Sequence, residues 1–381
     1  MSITRRVAIR HLFGGLAVGI SPWNPFQSSE AAGEVSELER HMMASIAADF
    51  MSEFGVPGLA VAIARQGHLA YNEAFGWSDR KSASKLTPAN LFRIASVTKP
   101  ITSTAIFTLI EEGRLALNQR VFGKGGILGT RYGTPPYKQY VQDVTIDHLL
   151  THTPGGWDNQ GNDPMFSNPK MDHAQLISWT LDNQPLSTPP GRNYAYSNFG
   201  YCVLGRIIEH LSGMSYVKFV SDRILARCGV RDMRIAGNRL EDRAPGEVIY
   251  YGQGSENPYN MNVARMDSHG GWLATAADLV RFAERVDGFT TTPNILRPET
   301  IKQMTTASAA NKGYARGWAV NDLGNWWHMG SLPGTTSIVA RISSGFCWSA
   351  LINTRRDGDA INLALDNLVW DMARRVKAWK L

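Results

Sequence analysis

Residues 91–115 read LFRIASVTKPITSTAIFTLIEEGRL, and across residues 101–110 the only polar side chains are Ser and Thr. A helix that is apolar nearly all round belongs inside a protein, not on its surface. This one opens with Ser96 and, one turn later, Lys99. A lysine withdrawn from water must lose its proton or find a partner. Any fold for the chain has to bury this helix and accommodate an amine at its start.

Ser followed by Lys three residues later occurs at Ser78, Ser82, Ser96, Ser167 and Ser215. Ser78 and Ser82 lie in a charged turn, and Pro169 interrupts the pattern after Ser167. Ser215 opens an amphipathic segment in which Lys218 and Asp222, four apart, form an exposed pair. Only Ser96 opens a helix with no solvated face. Its bland reading is an N-cap followed by a snorkelling lysine. The chemical reading is a nucleophile served by a desolvated amine, and the helix favours it.

Around this segment the pattern predicts strands at both ends and helices between. Residues 36–54 read as an amphipathic helix stopped at Gly55, followed by two strands around Gln66-Gly67. Helices are expected within residues 171–186, 199–214, 215–229 and 275–289, with Thr275 as an N-cap. Two further strands turn at Ser344-Gly345, and a last helix covers residues 360–379. The expected fold class is α+β: an antiparallel sheet built from both chain ends, flanked by helices, with a helical region inserted in the middle. In domain terms, residues 34–381 form one unit, a sheet part of about 34–95 and 265–381 and a helical part of about 96–264. Residues 121–170 are largely irregular, and long loops in a compact protein commonly line sites.

Residues 1–31 differ from the rest. Arg5, Arg6 and Arg10 precede a short apolar run at residues 12–20 and then small residues at Ser29, Ala31 and Ala32. That is the order of an export leader, with a twin-arginine-like pair, and the run is too short to span a bilayer. The expected product is a periplasmic or secreted protein beginning near Ala32, without a stable membrane anchor.

The net charge of +6 is not gathered into a basic run with interleaved aromatics, so nucleic-acid binding is not expected. Cys202, Cys228 and Cys347 are scattered and read as small apolar packers. Trp157, Trp272, Trp318, Trp326 and Trp327 sit in Gly-rich surroundings. They suit packing singly and an apolar cleft together.

Three other stretches carry chemistry. PPGRNYAYSNFGY places Tyr196 and Asn198 at a helix start, where Tyr196 as a phenolate beside an ammonium would take a proton from Ser96. WWHMGSLPG places His328, Gly330 and Ser331 at the head of a strand. Glycine there lets backbone approach closely, and a following edge N–H can face an oxyanion. His148 and His152 have helical spacing but no Glu between them and no third ligand, so neither a metal nor any other cofactor is expected. A Gly-x-Ser-x-Gly elbow is absent from the chain.

SVTK, YSN and HMG, in that order, resemble the three signature elements of the serine β-lactamase-like superfamily. The arrangement is closest to the branch of class C β-lactamases, DD-peptidases and family VIII esterases. LLTHTPGG, YSNFGYCVLGRIIE and GGWLATAADLVRFA resemble supporting stretches of that group, and the likeness runs from about residue 37 to the end. The resemblance implies Ser96 as the acylated nucleophile, Lys99 and Tyr196 as its activators, and Asn198 as a substrate-positioning group. It also implies an oxyanion hole from the N–H groups of Ser96 and Ser331, with His328 and Gly330 on the substrate-binding strand. Relatives acting on β-lactams usually carry Lys-Thr-Gly where this chain has His328-Met329-Gly330. The expectation is therefore an exported serine hydrolase of a small-molecule ester, or less readily an amide. A peptidase for D-residue peptides with side activity on β-lactams is the alternative, and a non-catalytic scaffold of the same fold is the third reading.

Overall fold

The computed structural model describes residues 35–377 except Gly161 and Asp357. The leader read in residues 1–31 and the end of the last helix, including Trp379, lie outside the described residues. Helix α1 (Glu37–Phe54) starts at a capping box, the Ser36 side chain accepting from the Glu39 N–H and the Glu39 carboxylate from the Ser36 N–H. Left-handed Gly55 ends it. Strands β1 (Gly58–Arg65) and β2 (His68–Asp79) follow, joined by Gln66 and Gly67, both at positive φ as a two-residue hairpin requires.

Short strands β3 (Ser84–Lys85) and β4 (Phe92–Arg93) lead to the buried helix α2 (Thr98–Glu111). The middle of the chain holds α3 (Ile146–Leu150), α4 (Pro164–Ser167), α5 (His173–Asn183), α6 (Asn198–Ser212) and α7 (Tyr216–Val220), then β5 (Arg234–Ile235) and β6 (Trp272–Ala274). Helix α7 widens into a π-type turn over Ser221–Leu225, so the regular helix expected there is shorter. Helix α8 (Ala276–Glu284) has Thr275 as its N-cap, in a capping box with Asp278. Helix α9 (Pro298–Thr305), absent from the sequence reading, starts with Pro at N1. Strands β7 (Ala319–Val320), β8 (Trp326–Leu332), β9 (Thr335–Ile342) and β10 (Phe346–Ile352) precede α10 (Ala360–Arg375).

The main sheet runs β3-β2-β1-β10-β9-β8-β7, antiparallel throughout. The chain ends meet at its centre, where Leu59 pairs with Ile352 and Arg65 with Phe346. Every residue of β1 is buried, because helices cover both faces. Leu59, Val61 and Ile63 pack with α1 and α10 through Met43, Phe50, Leu365 and Val369. Ala60, Ala62 and Ala64 face the opposite cluster, which contains Leu279 and Phe282 of α8. Each large aliphatic side chain so buried contributes about 1.5–3 kcal/mol. Small residues on one face and large ones on the other let α8 approach closely.

A second sheet, β4-β6-β5, sits at the junction with the helical middle. It carries the chain from Phe92 into α2. All residues of α2 from Thr98 to Leu109 are buried, as its composition demands. The three cysteines are buried and free. Trp157, Trp272 and Trp318 are core residues, so the tryptophans do not form the apolar cleft that five of them suggested.

Candidate active site

Ser96 occupies a single 3-10 turn, Ala95–Val97, that runs directly into α2. No side chain caps that helix, which removes the bland reading of Ser96 as an N-cap. Ala95 has φ +47°, a left-handed conformation costing a residue with a Cβ about 1–3 kcal/mol. The surroundings enforce it. The Ile94 N–H donates to Trp272 O at 3.0 Å, Ser337 Oγ to Ile94 O at 2.7 Å, and Thr335 Oγ1 to Arg93 O at 2.8 Å. The turn is thus clamped between β6 and β9 with the Ser96 side chain facing a cleft.

Lys99 is fully buried. Its Nζ lies 3.1 Å from Ser96 Oγ, 2.8 Å from Asn198 Oδ1 and 3.0 Å from the His269 carbonyl oxygen. Two of these partners can only accept. In its neutral form the amine has two N–H groups and one lone pair, so the two carbonyls would take both protons and leave the lone pair to the Ser96 hydroxyl. Burial holds Lys99 well below the ordinary lysine range, while the Asp163 carboxylate pulls the other way. Asn198 links these two groups: its Nδ2 donates to Asp163 Oδ2 at 2.9 Å while its Oδ1 faces Lys99. Its backbone N–H donates to Asn159 Oδ1 at 3.0 Å, tying the loop before α4 to the start of α6.

Tyr196 stands beside both groups, with Lys99 Nζ 4.7 Å from its ring centroid. Burial pushes its phenol up, against a smaller lowering by its hydrogen bond with Ser96, and Asp163 adds to the rise. The phenolate expected from the sequence therefore meets the opposite electrostatics. Burial disfavours the charged form of both groups.

On the far side of Ser96, β8 brings in Gly330. A Cβ there would fall inside contact distance of Ile94 O and Ser337 Oγ and 3.0 Å from the Ser96 N. Only glycine permits this approach. Ser331 follows at the exposed end of the strand, while β7 pairs only with the other end, at Trp326 and Trp327.

The cleft has a volume of about 1140 Å³. Ser96, Tyr196, Asn198, Gly330 and Ser331 line it, with Asp163, Phe166, Met261, Met329, Leu332 and Arg355. Arg355 is ion-paired with Glu256, its Nε 3.0 Å from Oε2. His328 is the expected site residue that stands apart. Its ring is buried and turned from the cleft, with Nδ1 on Met329 O at 2.7 Å and Nε2 on Tyr314 OH at 3.1 Å. Asp163, His152 and Tyr314 were not singled out as site residues. An Asp before Pro164 signals a helix N-cap, a role Asp163 fills through the Met165 N–H, but nothing in the spacing marks Tyr314.

An antiparallel sheet joined to a helical region, with a serine and a buried amine at their junction, is the architecture of the β-lactamase fold. The chain belongs to the Beta-lactamase family, whose sequence model matches residues 37–368. It is 34% identical over 199 residues to penicillin-binding protein 4* of Bacillus subtilis, covering 51% of this chain and 41% of that protein. It is 31% identical over 219 residues to esterase EstB of Burkholderia gladioli, covering 54% and 52%. The chain thus spans about half the length, or less, of the curated relatives it matches. The D-amino acid amidase of Ochrobactrum anthropi SV3, complexed with L-phenylalanine amide, superposes with a TM-score of 0.72 at 21% identity, over 88% of this chain and 99% of that one. At that identity the likeness is one of fold. Among the described residues no helix is long and apolar enough to cross a membrane.

Proposed function

We propose that the protein cleaves uncharged carboxylic esters, and less readily amides, through an acyl–Ser96 intermediate. The observation that carries this is the 3.1 Å contact between Ser96 and a buried Lys99 whose other two partners are carbonyls. As Ser96 Oγ attacks the carbonyl carbon, its proton passes to the Lys99 lone pair. The negative charge develops on the carbonyl oxygen, against the Ser96 and Ser331 N–H groups. The proton then returns through Tyr196 to the departing alkoxide. A water molecule repeats the sequence on the acyl-enzyme and restores Ser96. Asn198 holds Lys99 in place and offers its amide to the substrate. A scaffold role has no use for this set of groups.

Substrate charge follows from the lining. His328 supplies no cation to the cleft, and Arg355 is engaged by Glu256. A carboxylate-bearing substrate lacks a charged hydrogen bond of about 1.5–3 kcal/mol, roughly tenfold to a hundredfold in rate. The ratio kcat/KM for p-nitrophenyl butyrate should therefore exceed that for a cephalosporin by at least this factor. A preference for the cephalosporin would replace the esterase reading with that of a peptidase or β-lactamase.

Residues 1–31 are read as an export leader. The protein recovered outside the cytoplasm of its native host should begin near Ala32, and an intact mass retaining Met1 would overturn that reading.

A further inference from the structure

Behind Tyr196 lies a buried group of rings that the reaction above does not use. The His152 ring lies tilted 4.3 Å from Tyr196, and Tyr314 lies 4.9 Å from His152 and 6.0 Å from His328, centroid to centroid. The polar atoms of these rings are joined end to end. The Ser197 N–H donates to His152 Nδ1 at 3.1 Å. His152 Nε2 lies 3.1 Å from the Tyr314 oxygen, which lies 3.1 Å from His328 Nε2. His328 Nδ1 lies 2.7 Å from Met329 O.

The two backbone ends fix the tautomer of each ring. Met329 O can only accept, so His328 carries its hydrogen on Nδ1 and presents a lone pair at Nε2. The Ser197 N–H can only donate, so His152 has its lone pair at Nδ1 and its hydrogen on Nε2. Tyr314 then accepts from His152 and donates to His328. Tyr201, also hydrogen-bonded with Tyr314, donates its own proton to Leu150 O at 2.9 Å, so its oxygen is a second acceptor for the Tyr314 hydroxyl.

We propose that His152 and Tyr314 are positioning residues, whose one-directional hydrogen-bond chain ties the start of α6 to β8 and keeps His328 uncharged. One end of the chain lies between Tyr196 and Asn198, the other beside Gly330. It therefore sets the spacing between the proton-transfer groups and the oxyanion strand, and this rests on the acyl–Ser96 reading above. His152 holds its place at φ +58°, a strained conformation for a residue with a Cβ. A second proton on His152 would set N–H against the Ser197 N–H, and one on His328 would turn the Tyr314 hydroxyl away to Tyr201 O. The groups facing these rings are Lys99 of α2, Tyr194 and Tyr196 before α6, and Tyr201 of α6. None is an acid at neutral pH that would favour the extra proton. Burial pushes His328 down to about 3 and His152 well below the histidine range. The same geometry changes what His328→Lys would do. The new side chain would break the chain before it could serve a substrate carboxylate.

Nitrogen-15 spectra of histidine-labelled full-length protein test the chain directly. Spectra of His152→Gln and His328→Asn assign the two rings by the resonances they lack. The expected result is a neutral Nε2–H tautomer for His152 and a neutral Nδ1–H tautomer for His328 from pH 8 down to pH 5. The opposite tautomer at His328, or titration of either ring in that interval, overturns the proposal. Kinetically, Tyr314→Phe should lower kcat for p-nitrophenyl butyrate about tenfold to a hundredfold, the scale of a small misplacement of reacting groups, with KM nearly unchanged. An unchanged kcat overturns it as well. His152→Gln keeps an N–H directed at Tyr314 and should retain more activity than His152→Leu. Equal activity of these two counts against the chain, and this pair decides the matter should Tyr314→Phe fail to fold. Failure of a fluorophosphonate to label wild-type Ser96 would overturn the acyl-enzyme reading instead, leaving the tautomers to stand or fall on the spectra.

Discussion

Replacing Ser96 with Ala is expected to abolish ester turnover, by about 10⁴-fold or more, the scale of losing a nucleophile that works as a unit with its base. The folded state should persist, because Ser96 caps no helix and the turn around it is held by Ile94, Ser337 and Thr335. Peptide mapping after reaction with a fluorophosphonate should find the label on Ser96 alone. The competitor to exclude is Ser167, which also lines the cleft and also precedes a lysine by three residues. Its hydroxyl donates to Asn162 Oδ1 and Asp163 O, acceptors that cannot take its proton and hold it as an amine would. A label on Ser167, Ser78, Ser82 or Ser215 would refute the assignment.

Lys99→Met and Tyr196→Phe should each lower the acylation rate by about 10²–10⁴-fold, the usual range for loss of a general base or proton carrier. Single-turnover kinetics with p-nitrophenyl butyrate measure this. Full activity in Tyr196→Phe would leave Lys99 to act alone. The pH profile gives the finer test, because the reactive form is the neutral amine. Activity should rise with pH through the Lys99 pKa, which burial lowers, and be complete above it. The Asp163 carboxylate raises that pKa, so Asp163→Asn should move the acid limb of kcat/KM toward lower pH. A limb that stays in place, or moves upward, would mean that Lys99 does not set it.

Much of this was legible in the sequence because it rests on local pattern. The ten residues 101–110 demanded a buried helix, and the Gln66-Gly67 turn announced a hairpin. Ser96, Lys99, Tyr196 and Asn198 stand together as their motifs implied, in the sense that the cleft and the 2.8–3.1 Å contacts of Lys99 unite the four residues. What local pattern could not show is which way a ring turns. His328 and Gly330 share one face of β8 by its two-residue alternation. Gly330 ends against Ser96, while His328 ends against Tyr314 and through it reaches His152, far away in the chain. The charge state of Tyr196 was illegible for the same reason. It depends on whether Lys99 carries a proton, and that depends on the His269 carbonyl and on Asn198.

The central pairing of β1 with β10 has a consequence for when activity can begin. Synthesis proceeds from the N-terminus, so Ser96, Lys99, Tyr196 and Asn198 all exist before β8, β9 and β10. Until those strands arrive, β1 and β2 have no neighbour on the β10 side, and the Ser96 turn lacks the Ser337 and Thr335 hydroxyls that hold it. Pairing between such distant segments closes a long loop and comes late in folding. The nucleophile is thus the early part of a machine whose switch is residues 326–352: a chain that stops short of them carries its reactive serine but not the floor that aims it.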